Sequence, residues 1–130
     1  MTNNNAGQKL SLKVGNLGFA WNQTRNKQHW DAFGYPAQSP WDGREMVQTE
    51  AEWARDDNPG CTPSTVGIGS GQRPGCSGGP WVRVFYPNAV GTNNYANGVF
   101  SYYYTNQPNG MYSPYFDTSV YNFWNQYRVK

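Results

Sequence analysis

The sequence is poor in the residues from which most catalytic and metal-binding sites are built. Histidine occurs once among 130 residues, cysteine occurs twice, and charged residues make up only 14% of the chain. There is no CxxC motif and no cluster of histidines and cysteines, so we predict neither a metal site nor a cofactor. The net charge of +2 is small and scattered along the chain, which argues against a nucleic-acid partner.

Long apolar runs are missing as well. No stretch approaches the length of a transmembrane helix, so we predict no contact with a membrane. No signal peptide precedes the domain, and we expect any exporting segment to have been removed or to lie outside this chain. We place one domain at residues 15–130, preceded by a polar tail at residues 1–14. Three apolar residues alternate with polar ones in this tail and predict a linker or an edge strand: Leu10, Leu12 and Val14.

Aromatic residues, glycine and proline are abundant. Aromatic side chains make up 17% of the chain, which also contains 15 glycines and 9 prolines. This composition is typical of a loop-rich, mostly β protein, and we expect the protein to be secreted. The aromatic side chains are numerous enough to bury a substantial hydrophobic core.

Short β-rich runs, separated by turn residues, predict about six antiparallel strands. Because no helices alternate with these runs, they predict a β-sandwich or a β-barrel. The first two runs are expected to form a hairpin, and residues 50–75 are expected to form a long irregular loop. The predicted strands cover residues 15–22, 30–35, 44–49, 82–86, 98–104 and 111–116.

The C-terminal segment predicts a closing helix, since its large apolar residues recur at spacings of three and four. An oxygen of Asp117, Thr118 or Ser119 is expected to cap the N-terminus of this helix. The predicted fold class is therefore all-β with a C-terminal α-helix. The apolar residues of the predicted helix are Val120, Tyr121, Phe123, Trp124 and Tyr127.

A serine held between glycines, in the stretch Gly75-Cys76-Ser77-Gly78-Gly79-Pro80, precedes an apolar β-type run. Glycines on both sides permit positive φ, so that successive N–H groups can face one concavity and stabilise an oxyanion. The same residues also fit a plain tight turn in which Ser77 has no chemical role. A Gly-x-Ser-x-Gly nucleophile elbow is disfavoured, because that elbow requires a following helix and Pro80 begins a β-type run.

The two cysteines, Cys61 and Cys76, have a separation that suits a single disulfide. In a loop of this size the bond would stabilise the fold by roughly 3 kcal/mol. The alternative is two free thiols. The secreted character of the composition favours the disulfide, which would fix the backbone beside Ser77.

Several segments together resemble the trypsin-like, chymotrypsin-fold serine peptidases, and more closely a secreted bacterial and fungal branch related to glutamyl endopeptidases. The segments follow the family's order and spacing across residues 15–128. They are Gly18-Phe19-Ala20-Trp21-Asn22, Ala32-Phe33-Gly34-Tyr35-Pro36-Ala37, Trp41-Asp42-Gly43, Gly75 to Trp81, Gly98-Val99-Phe100-Ser101-Tyr102, and Met111-Tyr112-Ser113-Pro114-Tyr115-Phe116.

In that family two six-stranded antiparallel barrels enclose the active site, and this chain resembles only the second, C-terminal barrel with its closing helix. The resemblance implies that Ser77 is the nucleophile and that the N–H groups of Gly75 and Ser77 form the oxyanion hole. It implies that the strand Ser101-Tyr102-Tyr103 pairs with the substrate backbone. Gly71 would lie near the base of the primary specificity pocket, and Gly110 to Tyr112 would lie along its wall.

Two departures from the family pattern bear on activity. Gly71 leaves the pocket base uncharged, which would argue against a preference for Arg or Lys in the substrate. Cys76 stands where animal members of the family carry an Asp immediately before the nucleophile. A zymogen switch in which a new N-terminal amine pairs with that Asp is therefore not expected here.

The chain also lacks a recognisable base for Ser77. A serine nucleophile needs a base, usually His oriented by a carboxylate, and in this family both come from the first barrel. His29, the single histidine, is expected to be a solvated turn residue. Asp31 beside it is not expected to form a dyad with it, because adjacent strand residues point to opposite faces. Asp42 and Asp117 are expected to be a turn residue and a cap residue.

Two functions from different classes remain. The chain is either the C-terminal half of a serine endopeptidase that cleaves peptides or proteins, or a stand-alone, catalytically inactive module for binding or assembly. The first needs a His and an Asp from a missing N-terminal barrel, whereas the methionine at the start and the short length favour the second. Either way, an uncovered apolar face predicts a partner barrel or a homo-oligomer. Our candidates for that face are Tyr102, Tyr103, Tyr104 and Tyr112.

Overall fold

The structure, a computed structural model, describes residues 6–88 and 94–128. Eight strands and two helices lie in these residues, and the long antiparallel strands carry most of the fold. In chain order they are α1 (Ser11–Val14), β1 (Gly18–Phe19), β2 (His29–Gly34), β3 (Val47–Asp57), β4 (Thr65–Gly69), β5 (Pro80–Arg83), β6 (Tyr95–Val99), β7 (Tyr102–Tyr104), β8 (Gln107–Ser113) and α2 (Thr118–Tyr127).

The eight strands form one sheet in the order β1-β6-β5-β2-β3-β4-β8-β7. All neighbours are antiparallel except β1 and β6, which are parallel. The sheet closes on itself where β6 meets β8: the N–H of Val99 donates to Oγ of Ser113, 2.9 Å away, and the N–H of Ser101 donates to the carbonyl oxygen of Tyr112, 3.0 Å away. The prediction of an all-β barrel with a C-terminal helix is confirmed, with eight strands instead of six.

Aromatic residues from neighbouring strands fill the barrel. The ring centroids of Trp30 and Trp81 are 5.7 Å apart, and Phe100 packs edge-on against Trp81 at 5.6 Å. All three side chains are at most 2% exposed. This core holds β2 and β5 together beneath residues 75–79, the bend that contains Ser77 and precedes β5, which we call the serine bend.

The closing helix and its cap are as predicted. Oδ1 of Asp117 accepts hydrogen bonds from the N–H groups of Ser119 and Val120, at 2.9 and 3.1 Å. The helix packs through aromatic pairs on the segment that contains β1, where the rings of Phe19 and Trp124 stack at 4.9 Å.

The prediction of a long irregular loop at residues 50–75 is wrong. Most of this segment belongs to a long hairpin in which β3 pairs with β4. Over much of its length β3 alternates half-buried and exposed residues, and the exposed ones are largely charged, so the strand looks like a loop in the sequence. Its partner β4 contributes Val66 and Ile68 to the core, where both are at most 4% exposed.

Three further local predictions are corrected. β1 and β2 do not form a hairpin, because β1 pairs with β6 while β2 lies between β3 and β5. The predicted strand at residues 98–104 is divided into β6 and β7 at Phe100 and Ser101. The tail predicted as a linker or edge strand instead contains the short helix α1, which buries none of its residues.

The predicted disulfide is also wrong, since both cysteines are free thiols. Cys61 is exposed in the connection between β3 and β4, whereas Cys76 is 2% exposed and belongs to the core cluster. The long hairpin carries Cys61 to the surface, so the two side chains lie in different parts of the fold.

Candidate functional site

The serine bend leads directly into a strand. Gly75 and Gly78 have φ values of +110° and +81°, which side chains larger than hydrogen rarely tolerate. β5 begins at Pro80, so a strand follows the serine where a nucleophile elbow would need a helix. The local geometry therefore excludes the elbow of the α/β-hydrolases.

Backbone contacts on both sides hold the bend in place. The N–H of Gly78 donates to the carbonyl oxygen of Phe100 at 2.8 Å, and the N–H of Phe100 donates to the carbonyl oxygen of Gly79 at 2.9 Å. On the other side, a Cβ added to Gly75 would lie 2.6 Å from the backbone nitrogen of Ala37. A side chain at Gly75 would therefore collide with the segment that follows β2.

Three consecutive amide groups of the bend have no backbone partner. Within residues 6–88 and 94–128, the N–H groups of Gly75, Cys76 and Ser77 donate to no backbone oxygen, whereas those of Gly78 and Gly79 are both bonded. Ser77 itself is exposed. Two free donors beside an exposed hydroxyl can stabilise a negative charge that develops on a bound carbonyl oxygen.

An apolar cavity of about 360 Å³ opens beside Ser77. Several large side chains around it are unusually accessible: Tyr35 is 51% exposed and Met46 is 59% exposed. A cluster of exposed apolar side chains of this kind is typical of an interface. The cavity is lined by Leu17, Phe33, Gly34, Tyr35, Met46, Gly75, Cys76, Ser77, Gly79, Pro80, Val82 and Phe85.

A buried glutamine, which the sequence analysis missed, anchors the loop before the bend. Nε2 of Gln72 donates to the carbonyl oxygens of Ala32 and Val47, both at 3.1 Å, and to Oγ1 of Thr49 at 3.2 Å. Four residues later, burial raises the pKa of the Cys76 thiol, so that this group stays protonated behind the bend. A glutamine in a glycine-rich loop carries no sequence signal that would have identified it.

The residues predicted to bind substrate lie partly on β7, an edge strand of the sheet. Ser101 is exposed, and Tyr102 and Tyr103 are half-buried. Tyr112 is 1% exposed, so the prediction that it contributes to an uncovered face is wrong. The ring is enclosed because Tyr102 stacks on it at 4.9 Å and the guanidinium of Arg55 donates to its hydroxyl.

The predicted wall of the specificity pocket lines a second cavity, of about 380 Å³, between β3, β4 and β8. Gly110 and Tyr112 line it together with Arg55, whose guanidinium donates to Oη of Tyr112. Gly71 is exposed and lines neither this cavity nor the one beside Ser77. The predicted catalytic and substrate-binding residues therefore do not form one site: Gly75 and Ser77 line the first cavity, Gly110 and Tyr112 line the second, and the others line neither. The charged side chain of Arg55 in the second cavity was not anticipated.

His29 contacts two acidic residues but is far from the serine bend. Its Nε2 is 3.4 Å from Oε1 of Glu50 and 3.9 Å from Oδ2 of Asp31. The argument that His29 and Asp31 point to opposite faces is wrong, because residues two apart on a strand share a face. The bend packs on Phe33, however, and four residues of extended strand separate His29 from it by about 13 Å. The chain therefore provides no histidine to Ser77.

Over the described part of the chain, no helix is both long and apolar enough to cross a membrane. Comparison with known proteins adds two solved structures, while no protein-family model and no curated protein matches the chain. The protease Anisep from Arthrobacter nicotinovorans shares 34% identity and a TM-score of 0.72, over 92% of this chain and 52% of that one. The thermostable serine protease AL20 from an extremophilic microorganism shares 34% identity and a TM-score of 0.74, over 97% of this chain and 54% of that one. The chain thus spans about half the length of each protease, and the half it matches is the C-terminal one.

Proposed function

We propose that the chain is the C-terminal half of a serine endopeptidase. Its fold corresponds to one of the two barrels of a trypsin-like serine protease. Ser77 is its nucleophile, and the N–H groups of Gly75 and Ser77 form the oxyanion hole. The His and the Asp of the triad come from an N-terminal barrel outside these 130 residues. As its composition suggests, the enzyme acts outside the cell.

This proposal rests on the unpaired N–H groups of the bend that contains Ser77. Two N–H groups without backbone partners lie beside an exposed serine hydroxyl, in a backbone that two left-handed glycines shape. Because Gly75 and Ser77 are exposed, these N–H groups are free to donate to a bound ligand.

The chemistry that the bend supports is acyl transfer. Oγ of Ser77 attacks the carbonyl carbon of a peptide bond while its proton passes to the histidine of the partner barrel. The carbonyl oxygen becomes an anion and accepts from the N–H groups of Gly75 and Ser77. The histidine then gives its proton to the leaving amine, and water hydrolyses the acyl group from Ser77 by the reverse sequence.

The partner barrel has a suitable place to dock. The apolar cavity beside Ser77, with Leu17, Tyr35 and Met46 on its walls, would be covered by a barrel that delivers a histidine to the serine. Binding there buries apolar surface and brings the base to the nucleophile in one step. The isolated chain would therefore be inactive.

A second candidate is a stand-alone, catalytically inactive module that binds a partner or assembles through the same face. The position of His29 is compatible with it, since the single histidine of the chain is remote from Ser77. Under this proposal the glycine bend remains for structural reasons, and the apolar cavity is the binding surface.

Chemical rescue separates the two candidates. The purified chain is treated with a small alkyl fluorophosphonate, with and without imidazole as a substitute base, and the label is located by peptide mass mapping. If the bend is an oxyanion hole, imidazole produces labelling of Ser77 about a hundredfold above that of Ser119, an exposed serine outside the bend.

The matched control is Ser77→Ala, which must lose this label without losing the fold. Equal labelling of Ser77 and Ser119 in imidazole would contradict the proposed endopeptidase half and favour the inactive module. Labelling of Ser77 without imidazole would show that the chain has its own base, which contradicts the role of the partner barrel.

A further inference from the structure

Asp57, the last residue of β3, accepts hydrogen bonds from two tyrosines of one distant strand. The hydroxyl groups of Tyr102 and Tyr104 are each 2.7 Å from the same carboxylate oxygen, Oδ2. The hydroxyl of Tyr102 is also 2.6 Å from Oγ1 of Thr65, which in turn donates to the carbonyl oxygen of Asp57 at 3.1 Å. In the sequence Asp57 falls in a run of turn-forming residues, so that nothing distinguished it.

The tyrosines form a packed group over β8 and β4. Tyr102 and Tyr104 are two residues apart and so share one face of β7. The ring of Tyr102 stacks on that of Tyr112 with centroids 4.9 Å apart, and Tyr104 meets Tyr112 edge-on at 5.6 Å. Tyr112 lies over Gly67 of β4, where an added Cβ would be 2.7 Å from the ring. The missing side chain at Gly67 provides the space that this group occupies.

The contact between Asp57 and β7 crosses the sheet. β4 and β8 lie between β3 and β7 in the strand order, so the two long phenol side chains reach over both of them. β7 has three residues, pairs with β8 alone among the described strands, and has a register irregularity between Tyr102 and Tyr104. A strand so short and irregular is weakly held by its backbone alone, and the contact with Asp57 adds two hydrogen bonds to a charged acceptor.

The electrostatics support a charged acceptor. Hydrogen bonds from Tyr102 and Tyr104 lower the pKa of the Asp57 carboxyl, and the guanidinium of Arg55 acts in the same direction. The hydrogen bond to Asp57 in turn raises the pKa of Tyr104. At neutral pH the carboxylate is therefore ionised and both phenols keep the protons that they donate.

We infer that Asp57 is a positioning residue for β7: by binding the hydroxyl groups of Tyr102 and Tyr104 it holds this edge strand in the geometry needed to pair with an extended peptide. The inference rests on the proposed function in one respect, namely that β7 receives the substrate. Asp57 itself lies on the opposite side of β8 and does not touch the peptide.

The first test measures the strand directly. Amide hydrogen exchange is compared in the wild type, in Asp57→Ala and in Asp56→Ala. Asp56 is the matched control, because it is the adjacent carboxylate of the same strand but binds Arg25 and Trp53. We expect Asp57→Ala to accelerate exchange of residues 102–104 about tenfold or more relative to residues 66–68, and Asp56→Ala to leave this ratio unchanged.

The second test separates positioning from general stability. In the presence of imidazole, Ser77 is labelled either with a small fluorophosphonate, which does not reach β7, or with a tripeptidyl phosphonate, which does. Asp57→Ala should reduce the rate with the peptidyl probe about tenfold and leave the rate with the small probe unchanged. Asp57→Asn, whose amide oxygen can still accept from both phenols, should restore most of the loss.

The outcomes are distinct. The inference is overturned if Asp57→Ala leaves exchange in β7 unchanged, if it accelerates exchange equally throughout the chain, or if both probes slow by the same factor. If neither probe labels Ser77 in the wild type, the proposed function fails, while the exchange comparison still decides whether Asp57 holds β7.

Discussion

The carbonyl oxygen of Phe33 occupies the space in which a side chain at Gly79 would begin: an added Cβ would lie 2.1 Å from that oxygen. The end of β2 is thereby pressed against the bend that presents Ser77. Because the obstructing atom belongs to the backbone of a central strand, it cannot move aside as the end of a flexible side chain could.

Substitution of Gly79 should therefore unfold or strongly destabilise the protein. We expect Gly79→Ala to lower the free energy of unfolding by more than about 2 kcal/mol, through overpacking against Phe33. Urea denaturation followed by tryptophan fluorescence measures the change. Gly71→Ala is the control, since nothing lies within 4 Å of its added Cβ, and it should change stability by no more than about 0.5 kcal/mol. Equal losses in the two variants would contradict the packing described here.

The two cysteines should react very differently with a thiol reagent. Cys61 is exposed, whereas Cys76 is buried and its pKa is raised by that burial. The native protein should therefore show one thiol that reacts rapidly and a second that reacts only after denaturation. Cys61→Ser should remove the rapid reaction alone. The absence of reactive thiols in the denatured, unreduced protein would show that the two cysteines form a disulfide, which would contradict this prediction.

Acid stability should depend on Asp57. Its pKa is lower in the folded protein than in the unfolded chain, so the unfolded chain binds the extra proton. The contribution of Asp57 to stability is fully present above its unfolded pKa of about 3.9 and is lost as the pH falls through the lower, folded value. Asp57→Asn should be less stable than the wild type at pH 7 and should lose less stability on acidification. Urea unfolding from pH 7 to pH 2 tests this, and parallel curves for the two proteins would contradict it.

The apolar cavity beside Ser77 should drive self-association when no partner barrel is present. We expect the isolated chain to sediment as a reversible dimer at concentrations of tens of micromolar, because the exposed surface around Met46 is otherwise left in water. Met46→Lys places a charge there and should raise the dissociation constant at least about tenfold. Leu12→Lys changes a residue that is 77% exposed in α1 and outside this cavity, and it should have no effect. A monomeric wild type would argue against this interface.

The sequence was sufficient where local patterns and composition determine the structure. The spacing of apolar residues after Asp117 predicted α2 and its cap, and the glycines around Ser77 predicted a bend that leads into a strand. These features depend on the few residues nearest to them in the chain. They were therefore accessible without knowledge of the tertiary fold.

The sequence was insufficient where distant segments decide the structure. The charged residues of β3 led to the prediction of a loop. The strand forms nevertheless, because it pairs with β2 and β4 and exposes its charged residues to solvent. The roles of Gln72 and Asp57 depend on hydrogen bonds to residues between 23 and 47 positions away. The prediction of a disulfide was wrong for the same reason, because the β3–β4 hairpin places Cys61 at the surface while Cys76 is buried.

The pairing of β1 with β6 has a consequence for the order in which the polypeptide folds. The side-chain amide of Asn97 donates to the carbonyl oxygen of Ala20, 77 residues away. The side-chain amide of Asn22 donates to the hydroxyl of Thr118, 96 residues away. Closing loops of this length costs more conformational entropy than forming the β3–β4 hairpin. In addition, β1 pairs with β6, which belongs to the sheet only once it has paired with β5. We therefore expect the hairpin to form early, and the first strand and the last helix to dock late on the assembled barrel.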